Sequence, residues 1–405
     1  MADELAGRPI GERIQIIRER TGKSRPVVAG LVGRSAEWLK SIEKGRLLPP
    51  RLDMLVRLAE VLGVKDLAEL IGDEPLLSLQ RRAAHPVVPA MREAIEDIEL
   101  LSGTTIPDVN GLGLRAEQAW RLWHSSSQPR ADVGAVLPSI IRDGRRAVRI
   151  LDGDEQRAAY AALASAYGLA ESVLYWVADA TLLALVVDRC MDAAQQVDSP
   201  EVLARAAWVV GNVWRNCGRE EDAWSLAQDA CSMLEPGLND DSDSTRALWG
   251  ACQLHSSITA ARLGREGDAL RCLDAGMNMS TRLPAGYAED WTLFGKANAE
   301  LTGVSVYVDL FKSGSALDYG QRLEVDSLPS LGRRTRLWLE VARASAQRKD
   351  WTATLHFLQR ATSISEEFMR HHPLSRGLTG ELVTVGGRFV DRESRILATR
   401  LGVTV

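Results

Sequence analysis

No run of 18 uncharged apolar residues occurs in the 405-residue chain, so no segment reads as a membrane-spanning helix. The first fifteen residues, MADELAGRPIGERIQ, are charged and lack an apolar stretch, and do not read as a secretory signal. Cysteine is sparse: Cys190, Cys217, Cys231, Cys252 and Cys272 lie 14 to 27 residues apart, with no CxxC pair. Such spacing argues against a zinc site or a disulfide framework and fits a reducing, cytoplasmic setting. Also missing are GxxxxGK[ST], HExxH and GxSxG, as is any glycine-rich loop between a strand and a helix. No nucleophile stands with a base. The chain therefore does not read as an enzyme, and no cofactor or metal is expected.

Lysine is scarce as well, with seven residues against 42 arginines, a bias that a GC-rich genome produces without chemical cause. The placement of charge says more. From Arg18 to Arg57 ten basic residues face four acids, Glu19, Glu37, Glu43 and Asp53. Residues 73–405 carry 36 basic and 44 acidic residues. A small basic head on a large acidic body points to a polyanion partner for the head alone.

β-branched alternation is rare, and glycine and proline are absent from most long apolar-periodic runs, which predicts an all-α chain. Five short helices are expected in residues 1–72, over 10–20, 25–32, 36–44, 51–62 and 66–71. Residues 73–113, with Pro75, Pro86, Pro89 and the Arg81-Arg82 step, read as a linker with short helices. Residues 114–405 form the body. There CGREEDAW at 217–224 returns as LGREGDAL at 263–270, and loosely as QRKDWTAT at 347–354. The acidic run Asn239 to Ser244 lacks the glycine and glutamate of a calcium loop and reads as a polar connection. The His371-His372 pair before Pro373 reads as a solvated helix end.

The stretch GRSAEWLKSIEKGR, residues 33–46, has a more definite grammar. With Arg25 as the first position of a twenty-residue unit, Ala29 is fifth, Gly33 ninth, Leu39 fifteenth and Ile42 eighteenth. Two helices that cross steeply need a small residue at the crossing, here Ala29, and a positive φ in the turn, here Gly33. Leu39 and Ile42 face inward together. Ala36, Glu37, Lys40, Ser41 and Lys44 fall on the outer face. Ser35 is a natural N-cap and Gly45 a natural terminator.

This unit, with LDMLVRLAEVLGV after it, resembles the helix-turn-helix of the Cro/C1-type (XRE) repressor family over about residues 10–72. The resemblance implies that the second helix of the motif enters the major groove of double-stranded operator DNA. Ala36, Glu37 and Ser41 would then face base edges, with Glu37 accepting from a cytosine amino group. Arg25, Arg34, Lys40, Lys44 and Arg46 would meet phosphates. It further implies a pairing of Arg18 with Glu43, which makes Glu43 structural. Trp38 is expected at the edge of the small core. Arg25 stands where the family often has Gln, and Arg34 where it usually has an apolar residue.

The body resembles tetratricopeptide arrays, superhelical solenoids of helix pairs. From Ala204 onward Ala207, Gly211, Ala223, Ala227 and Ala230 keep that spacing, with Gly211 expected to let the second helix approach the first. About six helix pairs and a C-terminal cap are expected. In such arrays one face of each first helix points inward, which here selects Arg205, Trp208, Asn212, Arg215 and Asn216. Asn212 either grips a ligand's backbone amide or is satisfied by the neighbouring helix. Arg336 and Arg343 add cations in the last unit. A basic head joined to such a body resembles the peptide-responsive regulators of Gram-positive bacteria. That implies a homodimer whose body senses a peptide or small-molecule effector and modulates operator binding. The alternatives are a protein-docking scaffold and an antitoxin-like repressor.

Overall fold

The computed structural model describes residues 5, 8–45, 47, 50, 52–64, 66–72, 85–98, 108–239 and 242–403. Among the described residues every regular element is helical, as the periodicity predicts. Arg46, expected at phosphates, lies outside the described residues, as do the Arg81-Arg82 step and part of the Asn239 to Ser244 run. The chain divides into two compact units. Met1–Arg81 with Ala260–Glu266 form one, and Arg82–Thr259 with Gly267–Val405 the other.

The N-terminal unit holds α1 (Ile10–Arg20), α2 (Arg25–Leu31), α3 (Ala36–Glu43), α4 (Leu52–Leu62) and α5 (Ala68–Ile71). Its core gathers apolar side chains from all five helices, among them Ile14, Ala29, Leu39, Leu58 and Leu70, all solvent-free. The α2–α3 turn closes on Gly33 at φ +72°, with the Arg34 amide donating to the Ala29 carbonyl at 2.8 Å. That is the helix-ending hydrogen bond which a left-handed residue permits. Ser35 caps α3 by accepting from the Trp38 amide at 3.1 Å. Trp38 is 8% exposed and joins the core. Helices α1 and α3 touch at backbone distance, since a Cβ on Gly11 would stand 2.1 Å from the Ile42 carbonyl oxygen.

The second unit opens with α6 (Val87–Glu96), inside the stretch expected to be a linker. Val87, Met91, Ala94 and Ile95 on α6, a short helix as expected in that stretch, are buried in the unit's largest apolar cluster. Next come α7 (Val109–Ser125), starting ahead of residue 114, and α8 (Pro129–Ile150). Five more hairpins follow: α9 (Gly153–Leu174) with α10 (Ala180–Val197), and α11 (Pro200–Asn216) with α12 (Glu220–Leu234). Then come α13 (Asp243–Arg262) with α14 (Glu266–Ser280), α15 (Lys296–Asp309) with α16 (Ser313–Arg322), and α17 (Leu331–Gln347) with α18 (Trp351–Ile364). The short α19 (Glu366–His371), α20 (Pro373–Val385) and α21 (Asp391–Leu401) finish the chain.

Packing follows chain order, as in a helical repeat. First helices α7, α9 and α11 pack on one another, as do α15 and α17, while second helices such as α10 and α16 also meet the next hairpin. Ser257 Oγ ties α13 to the Ala269 carbonyl of α14 at 2.7 Å. Gly211 works differently from the expectation. The space its missing side chain leaves is taken by the His255 ring of α13 and not by α12, so it sets hairpin-to-hairpin spacing.

The repeated CGREEDAW motif is a turn. Gly218, Gly264, Phe311 and Lys349 are left-handed (φ +78°, +75°, +60° and +62°), and each stands two residues before a second helix. After each, the next amide reaches back five residues, Arg219 to Trp214, Arg265 to Ala260, Lys312 to Tyr307 and Asp350 to Ser345, at 2.8–3.0 Å. QRKDWTAT is thus the same turn shifted by one residue, with lysine bearing the left-handed conformation.

The last helices return to the first. Glu367 on α19 accepts the Arg130 and Ala131 amides at 2.9 and 3.1 Å, capping α8 from 237 and 236 residues away, and meets His85 at 3.1 Å. Ser365 Oγ donates to the Ser127 carbonyl at 2.8 Å. Burial pushes the His371 imidazole down to about 4, with Arg130 and His85 adding to the effect. His372 is buried, caps α20 at the Leu374 amide, and stands 2.8 Å from Arg336. The histidine pair is therefore built into the junction and is not the solvated helix end expected, because the return of α19 covers it.

Candidate functional site

Helix α3 owes its position to one buried carboxylate. Glu43 is solvent-free and accepts from Arg18 through Nε at 2.5 Å and a terminal nitrogen at 3.2 Å, the pairing expected. A second cation completes the clamp, since Arg25 Nε donates to the other Glu43 oxygen at 2.5 Å. Three helices thus converge on one side chain. The Glu43 hydrogen bond and charge outweigh burial and raise the Arg18 guanidinium above its ordinary value. Arg25, expected at a phosphate, holds α2 against α3 in this arrangement, and its side chain remains about one-third exposed.

The outer face of α3 carries Ala36, Glu37, Lys40 and Lys44. Glu37 and Lys40 pair across one turn at 3.0 Å, Glu37 exposed and Lys40 partly so. Lys44 is exposed and donates to Gln15 Oε1 of α1 at 3.2 Å. Arg34 sits beside the start of α3, its guanidinium 5.8 Å from the centre of the Trp38 ring. Ser41 does not join this face. It is 7% exposed, and the chain after α3 folds back so that the Leu47 amide donates to the Ser41 carbonyl at 3.2 Å. Ser41 was expected on this face among the base-reading residues, and its burial takes it off. Gln15 was the residue missed, because it lies on α1, outside the motif; Arg25 was expected at a phosphate, and its bond to Glu43 was not anticipated.

In the second unit the five residues expected on an inner face do share one side of α11, each half-buried. The structure supplies partners from several hairpins. Arg205 Nε donates to Glu289 at 2.8 Å, and its guanidinium lies 5.5 Å from the Trp291 ring, which stacks on Trp120. Glu289 is buried in the segment between α14 and α15 and also accepts the Trp291 and Thr292 amides. Asn212 is engaged within the protein: its side-chain oxygen accepts from Arg215 at 2.9 Å, and its carbonyl accepts from Tyr175 at 2.8 Å and Asn216 at 3.2 Å. Arg215 also reaches the His255 carbonyl at 3.4 Å. Trp208 packs against the main apolar cluster.

Two more charged clusters belong to first helices. Burial pushes the Glu171 carboxyl on α9 up to about 8, although a Ser172 hydrogen bond and the Arg215 charge draw it the other way. On α17 Glu340 is buried between Arg336 at 2.5 Å and Arg343 at 3.5 Å, and Arg343 also pairs with Asp309 of α15 at 2.6 Å. The cations expected in the last unit are thus answered by acids. Burial and then the neighbouring Arg336 push Arg333 down to about 10. Among the described residues no helix is long and apolar enough to cross a membrane.

No curated protein matches the chain. The crystal structure of a Rap protein complexed with competence and sporulation factor is similar at 10% identity and a TM-score of 0.47, over 72% of this chain and 78% of that one. Residues 9–70 match the family model of a helix-turn-helix domain, and the chain carries that domain at its N-terminus.

Proposed function

We propose that this chain is a cytoplasmic transcription regulator whose N-terminal unit reads operator DNA and whose helical body dimerises and senses an effector. The supporting observation is the clamp of Arg18, Glu43 and Arg25, which holds α3 rigidly with Ala36, Glu37, Lys40 and Lys44 outward. A helix held so, on a basic unit, fits the major groove. Glu37 leaves Lys40 to accept from a cytosine amino group, the Ala36 methyl meets a thymine methyl, and Lys40, Lys44 and Arg34 meet phosphates. Ser41 drops out of the base-reading set, and Arg25 acts by fixing Glu43. So small a set leaves much of the specificity to phosphate register, DNA shape and the spacing of two heads.

The inner face of α11 supports effector binding. Arg205, Arg215 and Asn212 offer donors to a carboxylate or peptide amide, and their present partners are groups an effector would displace. The effector would act by biasing the geometry of two heads in a homodimer.

Binding of the full chain to its own promoter across a salt series tests the DNA reading. Lys44→Ala and Arg34→Ala are each expected to weaken binding on all sequences and to reduce the salt slope by about 1. Unchanged affinity and slope in both variants would remove the DNA assignment.

A further inference from the structure

Helix–helix connections usually take about 2–8 residues, so residues 281–295 exceed what joining α14 to α15 requires. This irregular segment divides in two. Thr281 to Gly286 are mostly exposed, whereas Glu289 and Trp291 through Gly295 are buried. The buried part reaches across the first helices of the other hairpins. Trp291 stacks on Trp120 of α7 with ring centres 5.5 Å apart, and a Cβ on Gly168 of α9 would stand 2.7 Å from its ring. Phe294 fills the space that Gly250 of α13 leaves open, 2.1 Å from where a Cβ would be. Arg205 of α11 pairs with Glu289 and lies over the Trp291 ring. His124 of α7 donates to the Asp290 carbonyl at 2.8 Å, and Arg333 of α17 to that of Thr292 at 3.0 Å. Helices α7, α9, α11, α13 and α17 thus converge on one short stretch, on the side that an array of hairpins offers to a ligand. Leu293 is held left-handed at φ +56°, a conformation that persists for leucine only where its surroundings enforce it.

We propose that residues 289–294 are an internal ligand of this face, and that a peptide with a carboxylate two residues before an indole binds there in their place. The assignment rests on the effector reading above and gives that effector a chemistry. The Arg205 side chain is 22% exposed, and Glu289 is the one carboxylate that contacts it among the described residues. A newcomer without a carboxylate would leave this guanidinium without its counter-charge. One without a flat aromatic group would forfeit the stack on Trp120 and leave the seat at Gly168 empty. Basic and purely aliphatic peptides are therefore disfavoured. The tethered segment acts at an effective concentration on the order of millimolar. A free peptide gains access by binding more tightly, or when the segment is loosened.

The test uses the full chain and a fluorescein-labelled peptide amide of sequence AEDWTLF, residues 288–294, with anisotropy as the readout. Glu289→Ala/Trp291→Ala, which removes the internal carboxylate and indole, is expected to bind this peptide at least about tenfold more tightly than the native chain. A control peptide with alanine in place of its glutamate and tryptophan should bind the double variant at least about tenfold more weakly. Arg205→Ala, added to the double variant, should abolish saturable binding. His124→Ala removes one anchor and keeps the Arg205 pair; it is expected to gain severalfold and serves should the double variant lose its native circular dichroism. Equal binding by the native chain and the variants, equal binding of the two peptides, or no saturable binding by either variant overturns the proposal. The effector reading fails separately. If the double variant binds AEDWTLF and its affinity for the promoter then stays unchanged, the internal ligand stands and the sensing role is lost.

Discussion

The two units bury carboxylates in contrasting ways. In the head, Glu43 meets partners 25 and 18 residues away, and the contact fixes one helix of a small motif. In the body, Glu367 meets amides 237 and 236 residues away, and the contact joins the last helices to the first. The first kind of contact belongs to a motif and can be anticipated from it. The second arises only when a stack of hairpins has grown far enough to come round.

Glu43→Ala would break the contrast most severely, because it leaves the buried Arg18 with only the exposed Glu19 as counter-charge. A loss of about 3–5 kcal/mol is expected, read as collapsed hydrogen-exchange protection over α1–α3 with α7–α18 unchanged. Retained protection in α3 would show that apolar packing alone holds it. Glu367→Ala is expected to cost about 2–3 kcal/mol through the α8 amides left without an acceptor. Both α8 and α19 should loosen together; loosening of α19 alone would mean that the two ends are not coupled.

Glu171 sharpens the comparison through pH. Its folded value of about 8 exceeds the ordinary 4.5, so the native state keeps a proton that the unfolded chain releases. Stability from this group is complete below pH 4.5 and is lost as pH rises to about 8. The slope is on the order of 1.4 kcal/mol per pH unit inside that window. In Glu171→Gln the body's unfolding midpoint should lose that decline, and a variant with the native pH profile would refute the assignment. The smallest effect concerns the repeated turn. Lys349 is exposed and left-handed, so Lys349→Gly should gain about 1 kcal/mol and Gly218→Ala lose a similar amount. A fall in melting midpoint for Lys349→Gly would count against turn strain.

The head was largely legible because its rules are local: Ser35 caps, Gly33 turns, and Leu39 and Ile42 face inward, as their spacing requires. Ser41 was misread because a helical wheel assigns a face without showing what buries it. Among the repeated turns, those at Gly218 and Gly264 could be seen, whereas Phe311 adopts the same conformation without a glycine to mark it. A short helix was expected between residues 73 and 113, but its place in the body's core was not, because prolines also sit comfortably at a helix start. The repeat pattern groups Arg205, Trp208, Asn212, Arg215 and Asn216 on one side of α11, but Glu289, the partner of Arg205, stands in an irregular segment 84 residues later. No local rule links the two.

Contact between Glu367 and the start of α8 also has a mechanical side. An open stack of hairpins behaves like a spring, stretching and fraying from either end at small cost. Fastened end to end, it becomes a frame in which lengthening one interface must compress another. A displacement of one hairpin then has no slack to be absorbed in and is shared with the hairpins on either side.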